Sequence, residues 1–330
     1  MAKFLVIGSN AFSGQDFVDL LLEDPENEVL GVSRSPENPD LMLRYKDRSD
    51  LSNFRFRQYD LNQGIETFFE FLDDEAPEFI VNFAAQSEVG PSWQYPDHWF
   101  QTNCVALARL VKHLSVQKYL QKFLHVSSPE VYGSCEGNVV EEAQMFPSTP
   151  YAASKAAADM LLKTFSDQTN FPLLTVRATN VYGARQQLFK IIMRACIYIR
   201  LGRRIQLHGG GEAAKSFIHV RDISKGELAI LKHGRVGEIY HLSPDKSIKV
   251  RQVVSMIADC MGTTLEAVSE DIEDRLGQDA VYKIDSRKAR MELDWKPETN
   301  LDQGIKEVVR WVELNWNRIE HLPHDYAHKP

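Results

Sequence analysis

Apolar and polar positions in the first half of the chain alternate between two patterns. KFLVIG (3–8) is an unbroken apolar run, which predicts a strand buried on both faces. SGQDFVDLLLED (13–24) follows, with Phe17, Leu20 and Leu21 at helical spacing. The two patterns then take turns. NEVLGVSRS (27–35), FRFRQYDL (54–61), EFIVNFAA (78–85), KFLHVSS (122–128) and PLLTVRATNVYG (172–183) predict strands. ETFFEFLDDEAP (66–77), WFQTNCVALARLVKHLSVQ (99–117) and YAASKAAADMLLKTFSDQ (151–168) predict helices. Regular alternation implies right-handed βαβ units, hence an α/β fold with a doubly wound parallel sheet of Rossmann type. After about residue 180 the alternation loosens. LFKIIMRACIYIRLG (188–202), RQVVSMIADCMG (251–262) and LDQGIKEVVRWVELNW (301–316) read as helices and GEIYHLSP (237–244) as a strand. The division predicted is a dinucleotide-binding unit over 1–180 and a smaller mixed α/β substrate unit over 181–330, with some strand exchange between them. The stretch HLPHDYAHKP (321–330) reads as loosely ordered.

Composition narrows the function classes. With 330 residues, 43% hydrophobic and 25% charged, the chain can bury a sizeable core. A net charge of −8 lacks the basic excess of a nucleic-acid binder. No run reaches membrane-spanning length, and the apolar run near the start is too short for a signal peptide. Cys104, Cys135, Cys196 and Cys260 are scattered without CxxC spacing, and the ten histidines form no ligand spacing. These features predict reduced thiols, a cytoplasmic protein and no metal site.

The turn after the first strand, VIGSNAFSG (6–14), carries Gly8 and Gly14. Glycines there let backbone N–H groups approach a pyrophosphate at a helix N-terminus. The second strand ends in Ser33 and Arg34 with no acid. An acid at that place would bind the ribose 2′-hydroxyl of NAD, whereas an arginine accommodates the 2′-phosphate of NADP. The expected cofactor is therefore NADP, with NAD second.

YAASK sets Tyr151 and Lys155 one turn apart on a helix, 23 residues after Ser128. A phenol with a pKa of about 10 is a poor base at neutral pH. A neighbouring ammonium is expected to lower that value and let Tyr151 take a hydroxyl proton. In HVSSPEVYG (125–133), Glu130 stands behind Pro129 as either a solvated loop acid or a second base.

With these motifs in order, the chain resembles the extended short-chain dehydrogenase/reductase superfamily. Within it, the likeness is to nucleotide-sugar 4,6-dehydratases of the dTDP-glucose and GDP-mannose type. The resemblance rests on DLN (60–62), NFAAQSEV (82–89), QTN (101–103), SSPEVYG (127–133), YAASK and RATNVYG (177–183). It continues through LHGGGEAAKSFIHVRD (207–222), DRLGQD (274–279), IDSRKAR (284–290) and LDWKP (293–297). It implies a catalytic set of Ser128, Glu130, Tyr151 and Lys155. It implies a cofactor site built from Gly8, Asn10, Phe12, Ser13, Gly14, Ser33, Arg34, Asp60, Leu61, Asn82, Ala84, Ala85, Gln86, Asn103, Tyr151 and Lys155. Ser87, Ser128, Glu130, Asn180, Arg185, Lys190, Lys215 and Arg275 would meet a nucleotide-sugar substrate. A homodimer is implied, paired through NCVALARLVKHL (103–114) and SKAAADMLLKTF (154–165).

The implied reaction oxidises C4 of a hexose, removes the acidified C5 proton with a carboxylate, expels water from C6 and returns the hydride there. Glu130 fits the carboxylate, which a simple C4-epimerase does not need. A UDP-glucuronate-type decarboxylase shares a similar arrangement but needs a cation for the substrate carboxylate, and Arg185 could supply one. A noncatalytic dinucleotide-binding redox sensor is the rival from another class. Three positions depart from the family pattern. Ala11 stands for a glycine, Glu88 for a histidine, and Pro129 for the aspartate of the dTDP-glucose type.

Overall fold

The computed structural model describes residues 2–134, 137–273 and 283–329. Seven parallel strands form its central sheet: β1 (Ala2–Ile7), β2 (Asn27–Ser33), β3 (Phe54–Gln58), β4 (Phe79–Asn82), β5 (Lys122–Val126), β6 (Leu173–Ala178) and β7 (Ile239–Leu242). Their order is β7-β6-β5-β4-β1-β2-β3. The sequence of winding reverses between β1 and β4, which are neighbours in register from Phe4↔Phe79 to Ile7↔Asn82. The strands near this point are apolar on both faces because helices cover both. Leu5, Val6, Ile7, Ile80, Val81, Phe123 and Leu124 are all buried. Edge strand β3 is half-exposed, and its Arg55 is held by Glu28 and Glu75.

One face is covered by α1 (Phe12–Leu21), through Phe17, Val18 and Leu21. The other is covered by α2 (Ile65–Glu75), α3 (Leu107–Leu114) and α4 (Pro150–Thr169). Phe68, Leu72, Leu110, Val111, Leu114 and Leu162 form the core there. Each such buried side chain contributes about 1.5–3 kcal/mol relative to exposure. The second half contributes α5 (Ile191–Arg200), α6 (Val220–His233), α7 (Val250–Cys260) and α8 (Leu301–Leu314), and α5, α7 and α8 build a core of their own. Met193, Ile197, Val253, Ile257, Val308 and Val312 meet in its centre. Helix α6 instead turns Ile223, Ile230 and Leu231 onto the central sheet, beside α1.

Three elements differ from the sequence reading. The run 172–183 is not one strand. It leaves the sheet at Thr179, whose N–H donates to Leu242 O, and Asn180–Tyr182 pairs with Phe217–His219 instead. The run 99–117 is not one regular helix either, for Gln101–Ala106 winds as a π-helix before α3. Such wide turns often mark functional positions, and here Asn103 lies within it. Within the stretch read as loosely ordered, Tyr326, Ala327 and Lys329 line the cavity described below.

Leu110→Ala should destabilise the protein by about 2–5 kcal/mol, since it empties part of a filled core. Val116→Ala, at a position 76% exposed, should change stability by less than about 0.5 kcal/mol. Urea unfolding of both variants measures the difference.

Candidate active site

The winding reversal between β1 and β4 leaves a crevice at the carboxyl ends of the strands, where open α/β sheets bind ligands. A cavity of about 400 Å³ fills it. Gly8, Asn10, Ser33, Arg34, Asp60, Leu61, Ala84, Ala85 and Gln86 line it, and so does Ser87. Its floor requires glycine twice. Gly8 has φ +88° and a Cβ there would stand 2.8 Å from Ala84 N, while a Cβ on Gly14 would collide with the Gly8 carbonyl oxygen. A turn this bare of side chains lets a phosphate chain approach the N-terminus of α1 closely. Depth, strand-end position and the bare glycine floor fit a dinucleotide. Ala11 also lines the cavity, in the place of the missing glycine.

Other expected cofactor residues stand behind this wall. Asn82 holds the turn after β4, its side-chain oxygen accepting from Ala84 N at 3.1 Å. Asn103 clamps Gln86 from both sides, accepting from its N–H at 2.9 Å and donating to its carbonyl at 3.0 Å. The π-helix aims it there, and it also donates to Ser154 Oγ on α4. Phe12 is buried at the start of α1, followed by Ser13 and Gly14. Asn10 accepts from Asn38 N–H and donates to Pro36 O, which fixes the loop after β2.

The catalytic candidates gather at the end of β5. Ser128 caps the short 3-10 turn Pro129–Tyr132, its Oγ accepting from Glu130 N–H at 3.2 Å. Proline suits the first position of such a turn, because its fixed φ is already helical and it has no N–H to leave unpaired. Pro129 therefore sets the direction in which Glu130 leaves the strand end. Below the turn, Tyr132 accepts from Arg177 and lies 2.7 Å from His241 Nε2. Arg177 is paired with Asp159 at 2.7 Å, and Asp159 also accepts from Ser127.

Helix α4 begins with Thr149 accepting from Ala152 N–H and Pro150 in its first turn. This start sets Tyr151 against Ser128, whose hydroxyl hydrogen-bonds the phenol. Lys155 is only 2% exposed, its Nζ donating to Val126 O at 2.8 Å and lying 3.3 Å from His125 Nε2. Burial lowers its pKa to about 8, with the Asp159 charge acting the other way. The expectation of a lowered tyrosine pKa fails for the protein alone. Burial and then the negative charge of Glu130 push the Tyr151 phenol up, opposed by the Ser128 hydrogen bond. Glu88 adds to the upward push, so it lies within electrostatic range of the phenol. Lys190 neutralises Glu88 in an ion pair of 2.5 Å that joins the β4 end to the start of α5.

The expected substrate residues divide. Asn180 and Lys215 line a second cavity of about 210 Å³ with Arg194, Gln206, His208 and Phe217. Arg185 is turned elsewhere, donating to Leu43 O and pairing with Asp47. Arg275 lies outside the described residues. The sequence reading missed Arg194 and Gln206, which look like ordinary surface residues, and Tyr326, Ala327 and Lys329 on the first cavity's rim.

The model of a family described as GDP-mannose 4,6 dehydratase matches residues 5–308. The chain belongs to that family. This dehydratase-family chain is 30% identical to the dTDP-glucose 4,6-dehydratase of Xanthomonas campestris pv. campestris, over 97% of its own length and 95% of that relative. It is 28% identical to a trifunctional UDP-glucose 4,6-dehydratase/UDP-4-keto-6-deoxy-D-glucose 3,5-epimerase/UDP-4-keto-L-rhamnose-reductase of Arabidopsis thaliana, over 98% of its own length. It spans 49% of that longer protein, about half. A solved dTDP-glucose 4,6-dehydratase of Streptomyces venezuelae with NAD bound superposes with a TM-score of 0.88 at 27% identity, covering 96% of this chain and 98% of that one.

Asp159→Asn should weaken folding by about 3–5 kcal/mol, because it strips the partner from buried Arg177. The same change should lower the Lys155 pKa below its value of about 8, since Asp159 is the charge that holds it up. Urea unfolding and NMR titration of labelled lysine read the two effects. An unchanged or raised lysine titration would contradict the electrostatics described.

Proposed function

We propose that the chain is an NAD(P)-dependent nucleotide-sugar 4,6-dehydratase, a hydro-lyase that forms an NDP-4-keto-6-deoxyhexose. The observation that carries this reading is the carboxylate of Glu130 on the same short turn that presents Ser128 to Tyr151, beside a glycine-floored dinucleotide crevice. A bound dinucleotide supplies the acceptor for the hydride leaving C4 and its donor at C6. Tyr151 takes the proton of the 4-hydroxyl, and Ser128, beside the phenol, donates a hydrogen bond to that oxygen. Lys155 places positive charge beneath the site, anchored to the β5 carbonyl. Glu130 then removes the C5 proton and passes it to the C6 hydroxyl, which leaves as water, and C5 takes a solvent proton as hydride adds at C6. With Pro129 beside Glu130, no neighbouring acid on the turn shares the task.

The rival reactions fare less well. A decarboxylase needs a cation facing the substrate carboxylate, and Arg185 is engaged with Asp47 and the Leu43 carbonyl. An epimerase has no use for Glu130. A redox sensor has no use for Ser128, Tyr151 and Lys155 assembled together. The second cavity, with Asn180, Lys215 and Arg194, is the natural seat for the nucleotide end of the substrate. The same reading makes the protein a cytoplasmic homodimer joined along α3 and α4. Met160 on α4, 63% exposed, offers apolar surface to a partner copy there. Among the described residues, no helix is long and apolar enough to cross a membrane.

NADP is the cofactor favoured by this chain's own residues. Ser33 Oγ accepts from Asn10 N–H at 3.0 Å, and Arg34 lines the cavity just beyond it. No acid at the β2 end competes for a ribose hydroxyl. Arg34→Ala should weaken NADP binding by about tenfold or more while leaving NAD binding within about twofold, the scale of one charge-assisted contact to phosphate. Titration of both dinucleotides on both proteins is the check. Equal losses, or wild-type preference for NAD, would remove Arg34 from cofactor choice.

Glu130→Gln should still move the C4 hydride, read with C4-deuterated substrate. It should lose water at a rate lower by about 10²–10⁴-fold, the usual loss when a general base is removed. Solvent deuterium should cease to enter C5. Mass spectrometry across a panel of nucleotide sugars measures both. Near-normal water loss by this variant would make Glu130 a solvated loop acid and sink the dehydratase mechanism.

A further inference from the structure

The segment 324–329 lies at the mouth of the dinucleotide cavity and is held there by residues from several elements. The Lys329 carbonyl accepts from Gln86 Nε2 at 2.7 Å, at the end of β4. It also accepts from Arg34 Nη2 at 3.2 Å, just past β2. The His328 ring stacks on Tyr95 with centroids 4.6 Å apart, and on His98 and Trp99 at 5.1 and 5.4 Å. Both of its nitrogens are engaged, Nε2 at 2.8 Å from His98 Nδ1 and Nδ1 at 3.1 Å from the Tyr326 hydroxyl. The Tyr326 ring meets Phe189 edge-on at 5.3 Å, which ties the segment to the second half of the chain. Tyr326, Ala327 and Lys329 line the cavity without filling it, for about 400 Å³ stays open beneath them. The segment is a roof rather than a plug.

We propose that residues 324–329 form a latch that closes over the bound dinucleotide and slows its release, with His328 as the anchor and the Lys329 carbonyl as the clasp on Gln86 and Arg34. The proposal rests on the dehydratase reading in one respect. A hydride that is lent and returned within one turnover favours a dinucleotide that stays in place. The contacts are spread over an aromatic stack and two backbone hydrogen bonds, so the latch opens as a unit when its anchor is removed. Arg34 is doubly involved, because the clasp holds its guanidinium at the rim where a 2′ substituent would lie.

The test uses the whole protein loaded with reduced NADP or reduced NAD as the probe. Release is followed by fluorescence after addition of excess oxidised dinucleotide, without any sugar substrate. Deletion of residues 323–330 should speed release by about tenfold or more, and His328→Ala by several-fold, the scale set by losing one or two hydrogen bonds and a ring stack. Hydrogen exchange at 326–329 should slow on addition of dinucleotide. Equal release rates in wild type and both variants, or exchange indifferent to dinucleotide, would overturn the latch. Either result would leave the dehydratase reading standing, because water loss from a nucleotide sugar is measured separately. Fast release in the variants with no dehydration in wild type would support the latch and reject the assigned reaction.

Discussion

Everything at the site depends on one constraint, the reversal of winding between β1 and β4. The chain leaves β1 to one side of the sheet and β4 to the other, so no connection covers the gap between their carboxyl ends. Gly8 and Ser9 N–H turn back onto Val32 O, and only glycines allow the turn after β1 to fold back against the turn after β4. That is why Gly8 and Gly14 are fixed by contact with Ala84 and with each other rather than by flexibility. The crevice is a product of topology, and its side chains arrive from strand ends whose spacing the sheet itself sets.

The second layer of organisation is electrostatic. Beneath Tyr151 and Lys155 lies a buried chain of Ser127, Asp159, Arg177, Tyr132 and His241, all joined by hydrogen bonds. A buried arginine and aspartate are costly unless each is fully partnered. Here the pair holds α4 against β5 and β6, and keeps the Pro129–Tyr132 turn from tilting through Tyr132. His125 stays neutral, since burial and the nearby positive groups depress its pKa. Lys155 and Arg177 place positive charge below the site, while Glu130 places negative charge above it and Glu88 is paired with Lys190.

Much of this was legible in the sequence because it is local. Apolar or, for β3, alternating runs marked every strand of the sheet, and YAASK placed Tyr151 and Lys155 on one helix face by spacing alone. What the sequence hid is non-local or depends on burial. The exit of the chain at Thr179 follows from β7 taking the place beside β6, a strand that comes some sixty residues later. The rise in the Tyr151 pKa follows from enclosure, which spacing does not express. Glu88 carried no periodic signal, and its meaning appears only with Lys190 across the cleft. The 321–329 stretch has the polar, proline-containing look of a loose segment, yet His328 and Tyr326 find aromatic partners from residues 95–99 and 189.

The departure at Thr179 also bears on how the molecule can be divided. The natural place to draw a line, near residue 180, runs beside a hydrogen-bonded seam. Strand β7 belongs by position to the second half but pairs with β6 from Ile239↔Thr175 to Leu242↔Ala178. A fragment ending at that line would carry β6 as a raw edge, with its outward N–H and C=O groups unpaired and Val176 stripped of cover. Exposed edges of that kind recruit strands from other molecules. The halves are therefore not exchangeable modules. A chimera that swapped substrate specificity by trading the second half would have to bring its own matching seventh strand, and the sheet would reject one whose side chains do not fit against β6 and α6.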